Sequence, residues 1–258
     1  MNVRPIIIAG NWKMHKTYAQ AKKFFYGISD WRKDFPDHIQ VLIFPPSLYL
    51  IDAIEICKQA NIGIGAQNIY YKDFGAFTGE ISAKMIKEAG ATHSLVGHSE
   101  RRYIFHETDN EVNLKLKSVI ANELTAIICV GETAEEREAG ETLQVLERQL
   151  KEGFRDIPSK DMDKIIVAYE PVWAIGTGKT ATPEIAEYAH KFIRDWIGKN
   201  YGTESSLIVP ILYGGSVDVK NIKDLLLQSD IDGALIGGAS LRIDDFKKMI
   251  EIAEKIAK

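Results

Sequence analysis

The sequence predicts an α/β fold, a closed (β/α)8 barrel in which eight parallel strands are surrounded by helices. Eight short, almost continuously apolar and β-rich runs recur along the 258 residues, with helical patterns between them. Runs without polar alternation are typical of a parallel sheet that is buried on both faces. The mean repeat, 258/8 or about 32 residues, is the size of one strand plus one helix.

The predicted strands follow one another along the whole chain. They are Ile6–Ala9, Val41–Phe44, Ile62–Ala66, His93–Gly97, Ala126–Val130, Ile165–Tyr169, Ile208–Leu212 and Ala234–Ile236. Because no Pro-, Gly- or Ser-rich linker interrupts the series, residues 1–258 are predicted to form a single domain. A doubly wound sheet is the main alternative, but the Gly-rich fingerprint of a dinucleotide site is absent after the first strand.

Helical patterns with start signals separate these strands. The start signals are Ser47, Thr78, a capping-box pattern at Thr133 and a first-turn proline after Thr182. The expected helices are Leu48–Gln59, Ile81–Glu88, Thr133 to about Gly153, Thr182 to about Trp196, Asp218–Gln228 and Asp244–Ala257.

Composition excludes several classes of protein. Apolar residues are 45% and charged residues 26%, the usage of an ordinary globular chain. The net charge of −4 gives no general attraction for nucleic acid or an anionic membrane, so neither is expected as a partner. Cys57 and Cys129 form no disulfide framework, and the N-terminal apolar run is too short for a signal peptide or membrane span. A cytoplasmic location is therefore expected, and no residue spacing indicates a metal site.

In such a barrel the chemistry lies at the C-terminal ends of the strands. After the first strand come Asn11 and Lys13, which would point the same way on an extended segment, with Lys13 as a local cation for an anionic ligand. After the fourth come His98, Ser99 and Glu100. With Ser99 as N-cap, the helix dipole would keep His98 neutral, and Glu100 could pair with Lys13. A solvated lysine and a loop-bound histidine are the structural alternatives.

Glu170 follows the sixth strand and is the candidate general base. Burial beside Val172 and Trp173 should raise the pKa of this carboxyl, which suits a base. The segment Pro171–Thr180 has stiff ends and a Gly-Thr-Gly tip, the composition of a lid, although a long surface loop would also explain it.

Paired glycines follow the last two strands. Gly214-Gly215 precedes Ser216, and Gly237-Gly238 follows the eighth strand. Glycine lets backbone N–H groups approach a phosphate closely, although a tight turn would explain either pair alone. Cys129, at the end of the fifth strand, is expected to be a packed core thiol.

These strings together resemble the triosephosphate isomerase family. They are Ala9-Gly10-Asn11-Trp12-Lys13, Gly75-Ala76-Phe77-Thr78-Gly79-Glu80, Val96-Gly97-His98-Ser99-Glu100-Arg101-Arg102, Cys129-Val130-Gly131-Glu132, Tyr169-Glu170-Pro171-Val172-Trp173-Ala174-Ile175-Gly176-Thr177-Gly178, Tyr213-Gly214-Gly215-Ser216-Val217 and Gly237-Gly238-Ala239-Ser240-Leu241. The match runs from about Arg4 to the C-terminus in the family's order and spacing. The resemblance implies a TIM barrel that interconverts dihydroxyacetone phosphate and D-glyceraldehyde 3-phosphate through an enediolate, in glycolysis and gluconeogenesis, with no metal and no organic cofactor.

The resemblance also implies a role for each site residue. Glu170 would move a proton between adjacent carbons, neutral His98 would polarise the carbonyl, and Lys13 and Asn11 would stabilise the enediolate charge. The phosphate would be held by the backbone N–H groups of Gly176, Ser216, Gly237 and Gly238. Supporting positions would be Glu100, Ser99, Thr78 and Cys129.

The stretch Gln67–Gly79 is expected to build a homodimer. Its aromatic side chains are Tyr70, Tyr71, Phe74 and Phe77. On a monomer they would form an exposed apolar patch. The resemblance implies that this loop inserts into a neighbouring subunit, where Thr78 would lie near the partner subunit's Asn11 and the partner subunit's His98.

Two departures from the family pattern are visible. Ala83 stands where proline is usual and should only loosen a helix start. His106 stands where glycine is usual and either avoids positive φ or carries strain.

Two other functions stay open. They are a barrel lyase, in which Lys13 forms a Schiff base, and a non-catalytic phosphate-binding module. A Glu100 neighbour would keep Lys13 charged, which disfavours the lyase.

Overall fold

The computed structural model describes residues 4–31, 34–174 and 181–256, and within these ranges eight parallel strands form one closed barrel. Each strand pairs with the next along the chain, and the eighth pairs with the first. The strands are β1 Ile6–Asn11, β2 Ile39–Phe44, β3 Ile62–Ala66, β4 His93–Val96, β5 Thr125–Val130, β6 Ile165–Tyr169, β7 Ile211–Tyr213 and β8 Gly233–Ile236. The predicted (β/α)8 barrel is confirmed.

The described ranges also contain eleven α-helices, which surround the strands. They are α1 Tyr18–Ser29, α2 Leu50–Cys57, α3 Ala83–Glu88, α4 Ser99–Tyr103, α5 Asp109–Ala121, α6 Ala134–Glu138, α7 Thr142–Gly153, α8 Pro183–Tyr201, α9 Thr203–Ile208, α10 Ile222–Leu226 and α11 Ile243–Glu254. Among the described residues, no helix has the length and apolar character that crossing a membrane requires.

The seventh strand begins later than the sequence predicts. Ile208 ends α9 instead of opening a strand, because the N–H of Val209 still donates to the carbonyl of Ser205 at 3.0 Å. Pro210 has no N–H to donate, and β7 starts only at Ile211. The apolar run at this point therefore combines the end of a helix with the start of a strand.

The capping box at Thr133 is confirmed, but the helix after it is shorter than predicted. The hydroxyl of Thr133 accepts the N–H of Glu136 at 3.2 Å, and the Glu136 carboxylate accepts the N–H of Thr133 at 2.8 Å. Gly140 has a φ of +75°, so the predicted single helix is divided into α6 and α7. The prediction at Thr182 is also confirmed, since its hydroxyl accepts the N–H of Ile185 at 3.3 Å.

The helix starts predicted at Ser47 and Thr78 are wrong. Ser47 opens a single 3-10 turn before α2, and α3 begins after Ser82, whose hydroxyl accepts the N–H of Met85 at 3.2 Å. Because Ser82 caps α3, the helix begins at a defined residue although position 83 is alanine instead of the usual proline. His106 has a φ of +57°, so this position carries the strain that a glycine would avoid.

The apolar runs are continuous because both faces of the barrel wall are buried. The barrel interior is filled by Ile7, Ala9, Leu42, Phe44, Leu95, Ile127, Cys129, Ile166, Ala168, Leu212 and Leu235. A larger cluster, which includes Trp12, Phe24 and Phe25, fills the layer between strands and helices. Alternate residues of each strand thus enter one cluster or the other.

A buried carboxylate joins the elements at the N-terminal end of the barrel. Asp232, 1% exposed, contacts the Arg4 guanidinium at 2.8 Å and the Arg194 guanidinium at 2.5 Å. Its second oxygen also accepts the N–H of Ile211 at 3.0 Å. These partners supply the charge and the hydrogen bonds that a buried carboxylate needs.

The next residue, Gly233, closes the barrel between β8 and β1. It pairs with Ile7 at a φ of +152°, a conformation that side chains rarely adopt. A Cβ at this position would lie 2.1 Å from the carbonyl oxygen of Ile7. The two strands can reach this spacing only because residue 233 has no side chain.

We therefore expect Gly233→Ala to lower the free energy of unfolding by more than about 3 kcal/mol, since strain and a backbone clash coincide. Chemical unfolding at a fixed protein concentration measures the change. Gly140→Ala is the matched control, because Gly140 has positive φ but nothing within 4 Å of its would-be Cβ. That control should cost about 1 kcal/mol. Equal losses in the two variants would contradict the closure argument.

Candidate active site

The predicted site residues come together in one cavity of about 450 Å³ at the C-terminal ends of the strands. The lining residues that the sequence predicts are Asn11, Lys13, His98, Glu170, Gly214, Gly215, Ser216, Gly237 and Gly238. Asp218, Asn221 and Arg242 also line this cavity, and the sequence did not single them out. The cavity thus combines a carboxylate, an imidazole, an ammonium group and two glycine turns.

The carboxylate of Glu170 is buried, and both of its oxygens have a polar partner. One oxygen lies 2.9 Å from Nε2 of His98, and the other accepts the N–H of Ser99 at 2.9 Å. Gly214 makes this position available, because a Cβ there would lie 2.8 Å from Cγ of Glu170. β4, β6 and β7 together therefore position one side chain.

The pKa values of this pair shift against the sequence expectation. Burial raises the pKa of Glu170, but the facing His98, the N–H of Ser99 and Lys13 outweigh burial and lower it overall. Burial likewise lowers the pKa of His98, but the carboxylates of Glu170 and Glu100 raise it overall. The predicted effect of burial on both pKa values is present. The net shifts are nevertheless in the opposite direction, because each group stabilises the charged form of the other.

The imidazole of His98 has a defined tautomer when it is neutral. Its Nδ1 accepts the N–H of Glu100 at 3.2 Å, so the proton lies on Nε2, which faces Glu170. His98 is itself the N-cap of α4, and Ser99 is the first residue of that helix. The prediction of Ser99 as the N-cap was wrong by one residue, because the imidazole nitrogen performs the capping.

Lys13 is held by an ion pair and by a turn. Its ammonium lies 2.6 Å from the Glu100 carboxylate, as predicted. Its N–H donates to the side-chain oxygen of Asn11 at 3.0 Å, and its φ is +52°. The predicted extended segment is therefore wrong, although both side chains do line the cavity. The side-chain amide of Gln67, the residue after β3, donates to the carbonyl of Lys13 at 2.9 Å, a contact that the sequence did not predict.

Glu132 is a second residue whose role the sequence did not predict. This fully buried carboxylate follows β5 and accepts the hydroxyl of Tyr169 at 3.1 Å and the indole N–H of Trp173 at 2.9 Å. Arg137 contacts Glu132 at 3.4 Å and lies over the Trp173 ring at 4.3 Å. Its place directly after a strand is the signal by which the sequence could have identified Glu132. Its effect is to fix the start of the segment Pro171–Thr180.

Among the described residues, Thr78 and Cys129 lie apart from the cavity, and Ser99 and Glu100 contact its lining residues without being part of the lining. Gly176 belongs to residues 175–180, which lie outside the described residues. Thr78 is exposed in the Gln67–Gly79 loop, and Cys129 is a buried thiol in the barrel interior, whose pKa is raised by burial and by the nearby Glu170. Within the described ranges, no group of three or more His, Cys, Asp or Glu side chains could hold a metal ion.

Comparison with known proteins agrees with this geometry. A family model described as Triosephosphate isomerase matches residues 6–253. A protein named triosephosphate isomerase from Fusobacterium nucleatum subsp. nucleatum is 47% identical over 249 residues, which cover 96% of this chain and 99% of that protein. Proteins of the same name from Caldanaerobacter subterraneus subsp. tengcongensis and Syntrophotalea carbinolica are each 46% identical to this chain. Each alignment covers 96% of this chain, and it covers 99% of the first protein and 98% of the second.

The pairing of His98 with Glu170 predicts a pH dependence. We expect His98 to titrate above 6.5, and Glu170→Gln to lower its pKa because burial then acts without the facing carboxylate. NMR titration of the imidazole measures this shift. Glu100→Gln is the matched control and should lower the pKa less, since Glu100 lies farther away, 3.8 Å from Nδ1.

The same pair should contribute to stability within a defined pH window. Its contribution is fully present between the ordinary values of 4.5 for Glu170 and 6.5 for His98. It is lost as pH rises through the raised pKa of His98, and as pH falls through the lowered pKa of Glu170. A His98 pKa that is unchanged in Glu170→Gln would contradict the ion pair.

Proposed function

The chain belongs to the triosephosphate isomerase family, and we propose that its cavity performs the family reaction with Glu170 as the base that moves the proton. The function is that of the family, an intramolecular aldose–ketose isomerase of glycolysis and gluconeogenesis. The observation that carries the residue assignment is the 2.9 Å contact of Glu170 with His98 inside a cavity that Lys13 and Asn11 also line. A carboxylate and an imidazole that share one reaction space can move protons on carbon and on oxygen.

Glu170 removes a proton from the carbon beside the substrate carbonyl and returns it to the neighbouring carbon. To do so its carboxylate must leave His98 and face the substrate. In that position burial still raises the pKa of Glu170, while the contact that lowered it is gone. Substrate binding thus converts a carboxylate with a lowered pKa into a stronger base.

His98 acts on the substrate oxygens as a neutral imidazole. Once Glu170 has moved away, burial lowers the pKa of His98 with less opposition. The N–H of Glu100 occupies Nδ1, so Nε2 carries the proton and can donate it to the substrate carbonyl. A neutral donor with this tautomer polarises the carbonyl and passes a proton between the two oxygens.

The remaining cavity residues stabilise negative charge. The Lys13 ammonium and the Asn11 amide, which line the cavity, stabilise the enediolate charge, because fixed donors of this kind lower the barrier without reorganising. Ser216, Gly237 and Gly238 hold the phosphate of the triose phosphate through backbone N–H groups, together with Gly176. The chemistry needs no cofactor, because the carbonyl itself acidifies the transferred proton.

The contacts of Lys13 bear on the two other functions. A Schiff-base lyase needs an uncharged amine, whereas the Glu100 carboxylate at 2.6 Å stabilises the ammonium form. A non-catalytic phosphate-binding module has no use for a buried carboxylate–imidazole pair. Both alternatives are therefore less favourable than the isomerase.

We also propose that the chain acts as a homodimer through the Gln67–Gly79 loop. Loops after four consecutive strands expose apolar side chains on the same side of the barrel, namely Met14, Leu48, Phe74 and Phe105. Within the loop, the rings of Tyr70, Tyr71 and Phe77 pack together, with centroids 4.4 and 4.5 Å apart. A preformed protruding loop beside an exposed apolar surface suits a symmetric interface, which Thr78 would help to form.

The proposal extends to domain organisation and location. β1 and β8 come from the two ends of the chain and pair with each other, which supports one domain over residues 1–258. Cys57 and Cys129 are both free and buried, which supports the reducing environment of the cytoplasm.

Glu170→Asp tests the base. Shortening the side chain by one methylene misplaces the carboxylate by about 1 Å, so we expect kcat to fall about a hundredfold or more. A coupled assay with D-glyceraldehyde 3-phosphate measures the change. Competitive inhibition by inorganic phosphate is the control and should remain as in the wild type. Wild-type turnover in Glu170→Asp would remove Glu170 from this role.

The double variant Phe74→Asp, Phe77→Asp tests the dimer. Two carboxylates in an apolar interface should dissociate the subunits at micromolar concentration and reduce activity, because the site loops lose their support. Light scattering after size-exclusion chromatography measures the mass. Tyr188→Asp is the matched control, an exposed aromatic on α8 that should leave the dimer intact. A fully active wild-type monomer at nanomolar concentration would overturn the proposal.

A further inference from the structure

We propose that Lys16 is a positioning residue for phosphate binding, acting through the β8 turn, Gly238–Leu241, which follows β8. The inference rests on the proposed function, since it concerns the residues assigned to the substrate phosphate. Lys16 does not line the cavity, but its ammonium donates to the carbonyl of Leu241 at 2.9 Å. It therefore links the loop after β1 to the far end of the turn whose first residues line the cavity.

The ammonium of Lys16 also lies near two aromatic rings. Its ammonium lies 5.0 Å from the centroid of the Trp12 ring and 5.0 Å from that of the Phe24 ring. Trp12 and Phe24 both belong to the buried core, so these aromatic surfaces are fixed. The carbonyl of Lys16 accepts the Tyr49 hydroxyl at 3.0 Å, which also anchors its backbone.

The backbone of Lys16 is strained, which indicates that its contacts outweigh a local cost. Its φ is +73°, in the region that side chains other than Asn, Asp and His rarely occupy. A residue held in this conformation persists only where surrounding contacts over-determine it. Here those contacts are the two rings, the Tyr49 hydroxyl and the carbonyl of Leu241.

The β8 turn and the residue before it lie against β1 and the loop after β1. Directly before the turn, a Cβ on Gly237 would be at ordinary van der Waals distance, 3.5 Å, from Cε of Lys13. In the middle, Gly10 packs so closely on Ser240 that a Cβ would lie 3.0 Å away. At the end, Lys16 holds the carbonyl of Leu241.

The charge of Lys16 strengthens this anchoring. Its ammonium holds the carbonyl of Leu241, at one end of the turn, by a charge-assisted hydrogen bond, which is about twice as strong as a neutral one and so restrains the opposite end as well. Gly238 and Ala239, at that opposite end, line the cavity. Lys16 therefore supports phosphate binding without touching the phosphate.

The test compares Lys16→Met with Lys16→Arg. Methionine keeps an apolar stem on the two rings but cannot donate to Leu241, whereas arginine keeps both the charge and a donor. For Lys16→Met we expect kcat/KM with D-glyceraldehyde 3-phosphate to fall, and the inhibition constant of inorganic phosphate to rise, by roughly tenfold, which corresponds to about 1.4 kcal/mol. Lys16→Arg should restore most of both values.

A substrate without phosphate separates positioning from a general structural role. The kcat/KM of Lys16→Met for unphosphorylated D-glyceraldehyde should equal that of the wild type, because the β8 turn then has no anion to hold. Lys23→Met, which removes an exposed lysine of α1, is the matched control and should leave all these values unchanged.

The outcomes are distinguishable from a failure of the proposed function. If Lys16→Met retains wild-type values for the phosphorylated substrate and for phosphate inhibition, the inference is overturned while the isomerase stands. Equal losses with D-glyceraldehyde and its 3-phosphate would also overturn it, since they would indicate a general structural effect. An inactive wild-type protein would instead contradict the function itself.

Discussion

The approach of Gly233 to the carbonyl of Ile7 is the constraint on which the other arrangements depend. It brings β8 against β1 and thereby closes the sheet. Closure places the loop that bears Asn11 and Lys13 beside the turn that begins at Gly237. In an open sheet these loops would lie at opposite edges. The cavity between them exists because one residue in the wall has no side chain, and the ion pairs of the neighbouring Asp232 hold that residue in place.

Within the closed barrel, Lys13 and His98 of the cavity are paired with neighbouring carboxylates. The chain has a net charge of −4 and yet its substrate is an anion. Lys13 is paired with Glu100, and His98 with Glu170, so both of these side chains have a carboxylate neighbour. Their charges are therefore balanced by neighbouring side chains and not by the net charge of the chain. In the proposed mechanism Glu170 leaves His98 when substrate binds, so that pair exists only in the free site.

The sequence was informative wherever a property depends on neighbouring residues. Apolar runs marked the strands, and the polar residues directly after them, such as Asn11, His98 and Glu170, proved to face one cavity. It was uninformative where distant residues meet. The pKa directions of His98 and Glu170 depend on a contact between β4 and β6, and the positive φ of Lys13 depends on the Asn11 and Gln67 hydrogen bonds. The division between α6 and α7 depends on the conformation that Gly140 adopts.

The two cysteines have a practical consequence. Cys57 and Cys129 are buried, and burial raises the pKa of the Cys57 thiol to about 12 and that of Cys129 well above its ordinary value. Thiolate is the reactive form, so neither side chain should react with maleimides in the folded protein. A cysteine introduced at an exposed position, as in Tyr188→Cys, would then accept a fluorophore site-specifically. Single-molecule spectroscopy could start from the natural chain, with its native barrel interior intact.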